Sequence, residues 1–361
     1  MPRSHTLRLA ALAVFAGAPA CTPPPAAEQT APVTGLAWIP QESGTTASFR
    51  GISVVSPQEA WASGTGGAVL RTTDGGATWQ RDTVPGATAL DFRDVHTTGT
   101  GTAYLMSIGE GPQSRIYRTT DAGRSWTLQY TVPGPQGFLD GMAFRGPGEG
   151  FAYSDPVDGR FLVLATRDGE AWSPVPPQSL PPALPDEAGF AASGTGIAVH
   201  GDRVWFGTGG GAQARVFRSE DGGRTWAVSP TPMAAGSPGA GVFSLAFWNE
   251  REGIAVGGDY TKPQESAGNV AKTTDGGRTW RAIRGAPPRG YRSGVAFVPG
   301  TDPRLLIAVG TSGSDYSIDG GESWTPIDTV GYNAVAAAGP DAVWAVGPGG
   351  KVAKLRIGRE R

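Results

Sequence analysis

The chain has 361 residues, with 30 Lys and Arg against 32 Asp and Glu, 56 Gly, 31 Pro, 11 Trp and one Cys. A net charge of −2 with no Lys/Arg run leaves no nucleic-acid footprint, and a lone cysteine excludes an internal disulfide. Gly and Pro approach the level of disordered chains, but so many large indole rings argue for a packed core of short strands joined by tight turns.

The first residues read as targeting sequence rather than fold. Arg3, His5 and Arg8 form a short basic region around the start of an apolar stretch, Leu7 to Gly17, too short to span a bilayer. Small residues follow up to Cys21. The arrangement resembles a bacterial lipoprotein signal, in which that cysteine becomes the first residue and carries the lipid. Ala18-Pro19-Ala20 lacks the Leu such signals favour and also fits the small-x-small site of ordinary signal peptidase, so simple secretion is the alternative. Residues 1–20 are expected to be a signal peptide, 21–33 a stiff Pro-rich tether, and 34–361 a single domain. The expected product is exported to the cell envelope as a monomer that meets the membrane through a lipid on Cys21 alone.

From residue 34 onward one unit recurs. Inner-strand candidates fall at 51–55, 94–98, 141–144, 196–199, 244–247, 294–297 and 334–338. Second strands follow at 60–64, 102–106, 150–154, 203–207, 253–258, 305–310 and 342–347. Six units then carry a segment such as TTDGGATW (72–79), with aspartates at Asp74, Asp121, Asp168, Asp221, Asp275 and Asp319, spaced by 47, 47, 53, 54 and 44. A hydroxyl residue stands two positions before each aspartate, glycine permits positive φ, and tryptophan opens the next strand. The copy at 166–172 is one residue short. These are the residues of the Asp-box, or bacterial neuraminidase repeat, which the region 34–357 resembles. That family's boxes are structural turn staples away from the binding face, so the resemblance implies that none of the six aspartates is catalytic.

Seven inner strands but six boxes leave one unit incomplete. KVAKLRI (351–357) is a third strand with nothing after it, and GLAWIP (35–40) is a fourth strand with nothing before it. Joining them predicts an all-β, seven-bladed propeller of four-stranded antiparallel blades, closed by an N-terminal strand in the C-terminal blade, with Trp38 in place of a box tryptophan.

The two long insertions, 173–193 between blades three and four and 259–269 within blade five, fall on the face opposite the boxes. Arg50, Arg93 and Arg292 stand at inner-strand starts there, with Asp94, Asp140, Glu187, Asp259, Tyr291 and Asp315 nearby. The arginines either pair with these acids or stay free to grip a carboxylate, sulfate or phosphate. We take these nine residues as a candidate ligand site. Neither a metal nor a cofactor is expected: His96 and His200 are isolated, and no phosphate loop, nucleophile elbow or dinucleotide fingerprint occurs.

FRGISVVSPQEAWASGTGGAVLRTTDGGATW (49–79) is similar to the photosystem II stability and assembly factor family and its non-photosynthetic bacterial relatives. That resemblance implies a non-catalytic binding or assembly module for a protein or an anionic or glycan ligand. The alternative is a glycan-cleaving enzyme, since sialidases share the box. Against it, Gly51-Ile52 breaks the Phe/Tyr-Arg-Ile-Pro motif that Phe49-Arg50 begins.

Overall fold

In the computed structural model, which describes residues 33–301 and 304–359 besides Met1, seven antiparallel sheets follow one another around a ring. The expected signal peptide, Cys21 and nearly all of the tether lie outside the described residues. Inner strands Phe49–Val54, Asp91–Gly99, Leu139–Phe144, Ile197–His200, Ala240–Phe247, Gly294–Phe297 and Ala334–Gly339 open blades one to seven. Six sheets have four strands. In blade five the fourth strand shrinks to a single bridge between Lys272 and Arg281. Beyond it the chain swings to blade six, where the Gly285 N–H donates to Glu322 O and Ala286 O accepts from the Trp324 N–H. Pro287 and Pro288 then offer no ladder donor.

Blade seven closes the ring. Val33–Gln41 pairs antiparallel with Val352–Arg359, setting Trp38 opposite Leu355. The Trp38 ring packs among Val298, Leu305 and Val309 of blade six, and its Nε1–H donates to Ser314 Oγ at 2.8 Å. Every box tryptophan likewise reaches the blade before its own: Trp79 packs with Trp344 of blade seven, Trp126 on Trp61 of blade one, Trp172 on Tyr104 of blade two, Trp226 in one cluster with Phe151 and Phe161 of blade three, Trp280 with Trp205 of blade four, and Trp324 beside Ile254 of blade five. Seven apolar clusters of this kind fill the spaces between blades.

Each box satisfies its own turn. Thr72 Oγ1–H donates to Asp74 Oδ1 (2.8 Å) and accepts from the Gly76 N–H (2.9 Å). Asp74 also accepts the N–H and hydroxyl of Thr78 at 2.9 and 2.6 Å. Gly75 and Gly76 hold φ of 77° and 87°, the left-handed region that this turn requires. In the short third box Ala171 replaces the last hydroxyl residue, so Asp168 keeps backbone donors from Glu170 and Ala171 but gains no side-chain donor downstream.

Two outcomes test this account. Trp38→Ala removes a buried indole from the closing blade and should cost about 3–5 kcal/mol in denaturant unfolding. Asp275→Ala should cost about 1–3 kcal/mol through unsatisfied turn donors, and Asp168→Ala should cost less because no downstream hydroxyl donates to it. Equal losses at Asp168 and Asp275 would refute the role given to the downstream hydroxyl.

Candidate functional site

Alternating strand direction puts inner-strand starts at one end of the ring and the boxes at the other. The boxes bond to the turns between first and second strands, as when the Gly75 N–H donates to Gln58 O. At the opposite end the connection between blades three and four does not run over the surface. Residues 187–195 enter the channel mouth and bond to blade after blade. The Gly189 N–H donates to Asp155 Oδ1 of blade three (2.8 Å), and Ala188 exchanges two backbone bonds with Gly209 of blade four. Arg93 Nη1–H of blade two donates to Ala191 O, and Arg50 Nη1–H of blade one to Ala192 O, each at 3.1 Å. The Ser193 hydroxyl donates to Ser293 O of blade six (2.7 Å), and Thr195 shares a 2.6 Å hydroxyl contact with Ser244 of blade five. This segment is a plug.

The plug's anchor is Glu187, buried and accepting from Arg215 Nε (2.8 Å), a second Arg215 nitrogen, Thr208 Oγ1 (2.6 Å) and the Leu184 N–H (2.8 Å). Glu187 is therefore fully occupied in holding the insertion to blade four.

Above the plug lies a concavity of about 350 Å³. Arg50 and Arg93 form one wall, Phe190, Phe243, Tyr260 and Tyr291 another, with Ser293 and Asn333 between them. Its lining contains no carboxylate among the described residues. Arg93 is half-paired, its Nε donating to Asp91 Oδ2 at 2.9 Å. Arg50 makes no ion pair among the described residues; burial lowers its pKa, and Arg93 lowers it further.

The nine sequence-derived residues thus divide. Arg50, Arg93 and Tyr291 line the concavity. Arg292 does not: it is buried with Asp315, which accepts from its Nε at 2.7 Å and from Nη2, while its Nη1–H donates to Tyr291 O and Ser312 Oγ. Of the three arginines, two open onto the concavity and the third is paired with its acid. Comparing box registers shows why, since four residues before the box aspartate the other blades carry Leu70, Tyr117, Leu164, Phe217 and Ala271, and only blade six carries an acid, Asp315. Asp259 is also turned inward, stapling the blade-five insertion through Ser237 Oγ and the N–H and hydroxyl of Thr261. Asp94 ties blade two to blade three by accepting the Met142 N–H at 2.8 Å. Asp140 is buried beneath the plug, and its Oδ2 has no hydrogen-bond partner among the described residues. Sequence reasoning missed Phe190, Phe243 and Tyr260. An aromatic residue inside a Pro-rich insertion was the available signal for Phe190.

Comparison with known proteins agrees with this architecture. The sequence model of the family described as "Photosynthesis system II assembly factor YCF48" matches residues 34–284. The chain belongs to that family. Two curated Ycf48 photosystem II assembly proteins, from Synechococcus strains JA-3-3Ab and JA-2-3B'a(2-13), are each 28% identical, over 53% and 63% of this chain. The match spans about half of the first protein (48%) and 73% of the second. Among solved structures, "YCF48 bound to D1 peptide" superposes with a TM-score of 0.60 at 17% identity, covering 92% of this chain and 98% of that one. YCF48 from Cyanidioschyzon merolae gives 0.60 at 19% identity, over 89% and 98%. At these identities the structural likenesses show the propeller fold alone.

Two sets of carboxyls pull stability in opposite directions with pH. Thr78 donors hold Asp74 down to about 2, Ser125 donors do so for Asp121, and at Asp221 burial opposes but the Thr225 donors prevail, again to about 2. Their stabilisation is present above the ordinary carboxylate range and is lost as pH falls from about 4 toward 2. Burial raises Asp94 to about 7 against the Met142 and Val95 N–H groups, and Asp155 to about 6 against the Gly189 N–H. Burial and then Asp155 raise Asp140 well above its usual range. These acids favour the fold when protonated, so their contribution declines as pH rises from about 4 through 7. His96, desolvated on the Phe144 ring and lowered to about 4, opposes them between about 6.5 and 4. With three groups against one, Tm should peak near pH 4–5 and fall on both sides. Asp94→Asn, which keeps an acceptor for Met142, should flatten the alkaline limb; an unchanged limb would refute the assignment.

Proposed function

We propose that this chain is a non-catalytic, protein-binding assembly factor that holds an acidic segment of a partner protein at the plugged mouth. The carrying observation is Arg50, a half-buried guanidinium with one bond to a main-chain carbonyl and no carboxylate, in a concavity whose lining holds no acid. Burial strengthens a charge-assisted bond that would be weak in open water. Membership of the assembly-factor family supports a protein partner, and one solved relative is named for its bound D1 peptide. An acidic glycan offers the same anionic chemistry and is the competing ligand class. The glycan-cleaving alternative finds no carboxylate lining the concavity, among the described residues, to act as acid or nucleophile.

We also propose that the domain works at the cell envelope, tethered by a lipid on Cys21. Cys21→Ser should move the protein from the membrane fraction to the soluble fraction without changing its Tm. Soluble wild-type protein with an unmodified amino-terminal cysteine would instead establish ordinary secretion.

The site itself is tested with an acidic peptide measured by fluorescence anisotropy. Arg50→Met and Arg93→Met keep the apolar stem and remove the fork, and each should weaken binding by about 1.5–3 kcal/mol with Tm unchanged. Competition by an oligosaccharide rich in sialic or uronic acid, but not by the peptide, would replace the protein reading with a glycan one.

A further inference from the structure

The two arginines and the aromatic residues come from opposite sides of the ring. Arg50 and Arg93 belong to blades one and two, whereas Phe243 and Tyr260 belong to blade five and Tyr291 leads into blade six. In a seven-membered ring blade five stands across from the first two. The plug supplies the remaining ring, Phe190, stacked on Phe243 with centroids 3.8 Å apart and planes 17° apart. Tyr291 and Tyr260 meet Phe243 edge-on at 4.8 and 6.2 Å. Phe243 and Tyr291 are buried at 2% and 3%, and Tyr260 stands 52% exposed at the rim. The mouth is therefore a slot with a cationic wall and an apolar wall, and its floor is the plug.

An extended peptide sends successive side chains to opposite sides. Laid through such a slot, it presents one residue to the arginines and the next to the aromatic rings. Two residues separated by one would face the same wall, so spacing as well as composition is read. Resting on the proposed function above, we infer that the mouth recognises an extended segment with an acidic residue immediately next to an aromatic or branched apolar residue. Phe190 and Tyr260 are the specificity-determining side chains. Their surface is the accessible part of the aromatic wall, and an apolar group covering it gains burial that a glycine does not.

The test uses the full mature chain and end-capped, fluorescein-labelled peptides in a Ser/Gly background, so that no terminal charge contributes. Four probes carry Asp–Phe adjacent, Asp–Gly, Asn–Phe, and Asp and Phe separated by one serine. The adjacent Asp–Phe peptide should bind at least 10-fold tighter than the Asp–Gly and Asn–Phe peptides, and several-fold tighter than the spaced one. Tyr260→Ala, at an exposed rim position, should remove most of the preference for Phe, read as the ratio of Asp–Phe to Asp–Gly affinity. Phe190→Ala should do likewise, with its Tm checked. Binding that depends on Arg50 and Arg93 but is equal for Asp–Phe and Asp–Gly, or equal for adjacent and spaced peptides, would overturn this inference and leave the proposed function standing. Absence of binding by all four peptides, or binding indifferent to both arginine substitutions, would overturn both.

Discussion

No blade of this ring can bury both of its faces without a neighbour on each side. The box turn meets that constraint by making tryptophan the first residue beyond a rigid corner, so that an indole reaches the preceding blade at each step. Six corners leave one gap, and the N-terminal strand fills it with Trp38. The hydroxyl and carboxylate of each box therefore act at a distance from any ligand, by fixing where the tryptophan points. Their lowered pKa values follow from the same donors that hold the corner.

Closure creates a channel, and the plug turns that channel into a pocket. Without residues 187–195 the inner strands would surround open solvent, and Arg50 and Arg93 would face water. With them, both guanidinium groups lose solvent and gain a main-chain carbonyl each. That exchange leaves donor capacity unused, in a place where burial makes an anion more effective than on the surface. Asp140 and Asp155 carry the opposite burden, being drawn under the plug where ionisation is disfavoured. The same segment thus sets the sign of the mouth and the alkaline limb of stability.

The blade count, the closing strand and the turn role of the boxes were legible because they are periodic or local. A repeat compared with itself shows which strand is missing, and Trp38 stands in that strand where a box tryptophan would. The plug was not legible as a plug. Its bonds run from a Pro-rich loop to backbone and side chains as far as 142 residues away, with no periodicity to betray them. Arg292 and Arg93 look alike in sequence, each beginning an inner strand. They differ through third-strand partners: Asp315 in blade six, where blade two carries Tyr117. The reduced fourth strand of blade five was not legible, because the chain beyond Arg281 bonds to the neighbouring blade's turn instead of its own third strand.

The closing strand also imposes an order in time. It is the first part of the domain to be synthesised, yet its ladder partner is Val352–Arg359, and Gln41 at its end also accepts from the Trp344 indole, 303 residues later. At ribosomal speeds of about 5–20 residues per second, its backbone edge waits roughly 15–60 s for a partner. Throughout that interval an apolar strand carrying Trp38 and Ile39 offers itself to any other unpaired edge. Blades one to six can form in sequence as they are made, but the last step is a docking across the full length of the chain. Any delay in completing the chain therefore bears most strongly on the nine residues at the start of the domain, not on its centre.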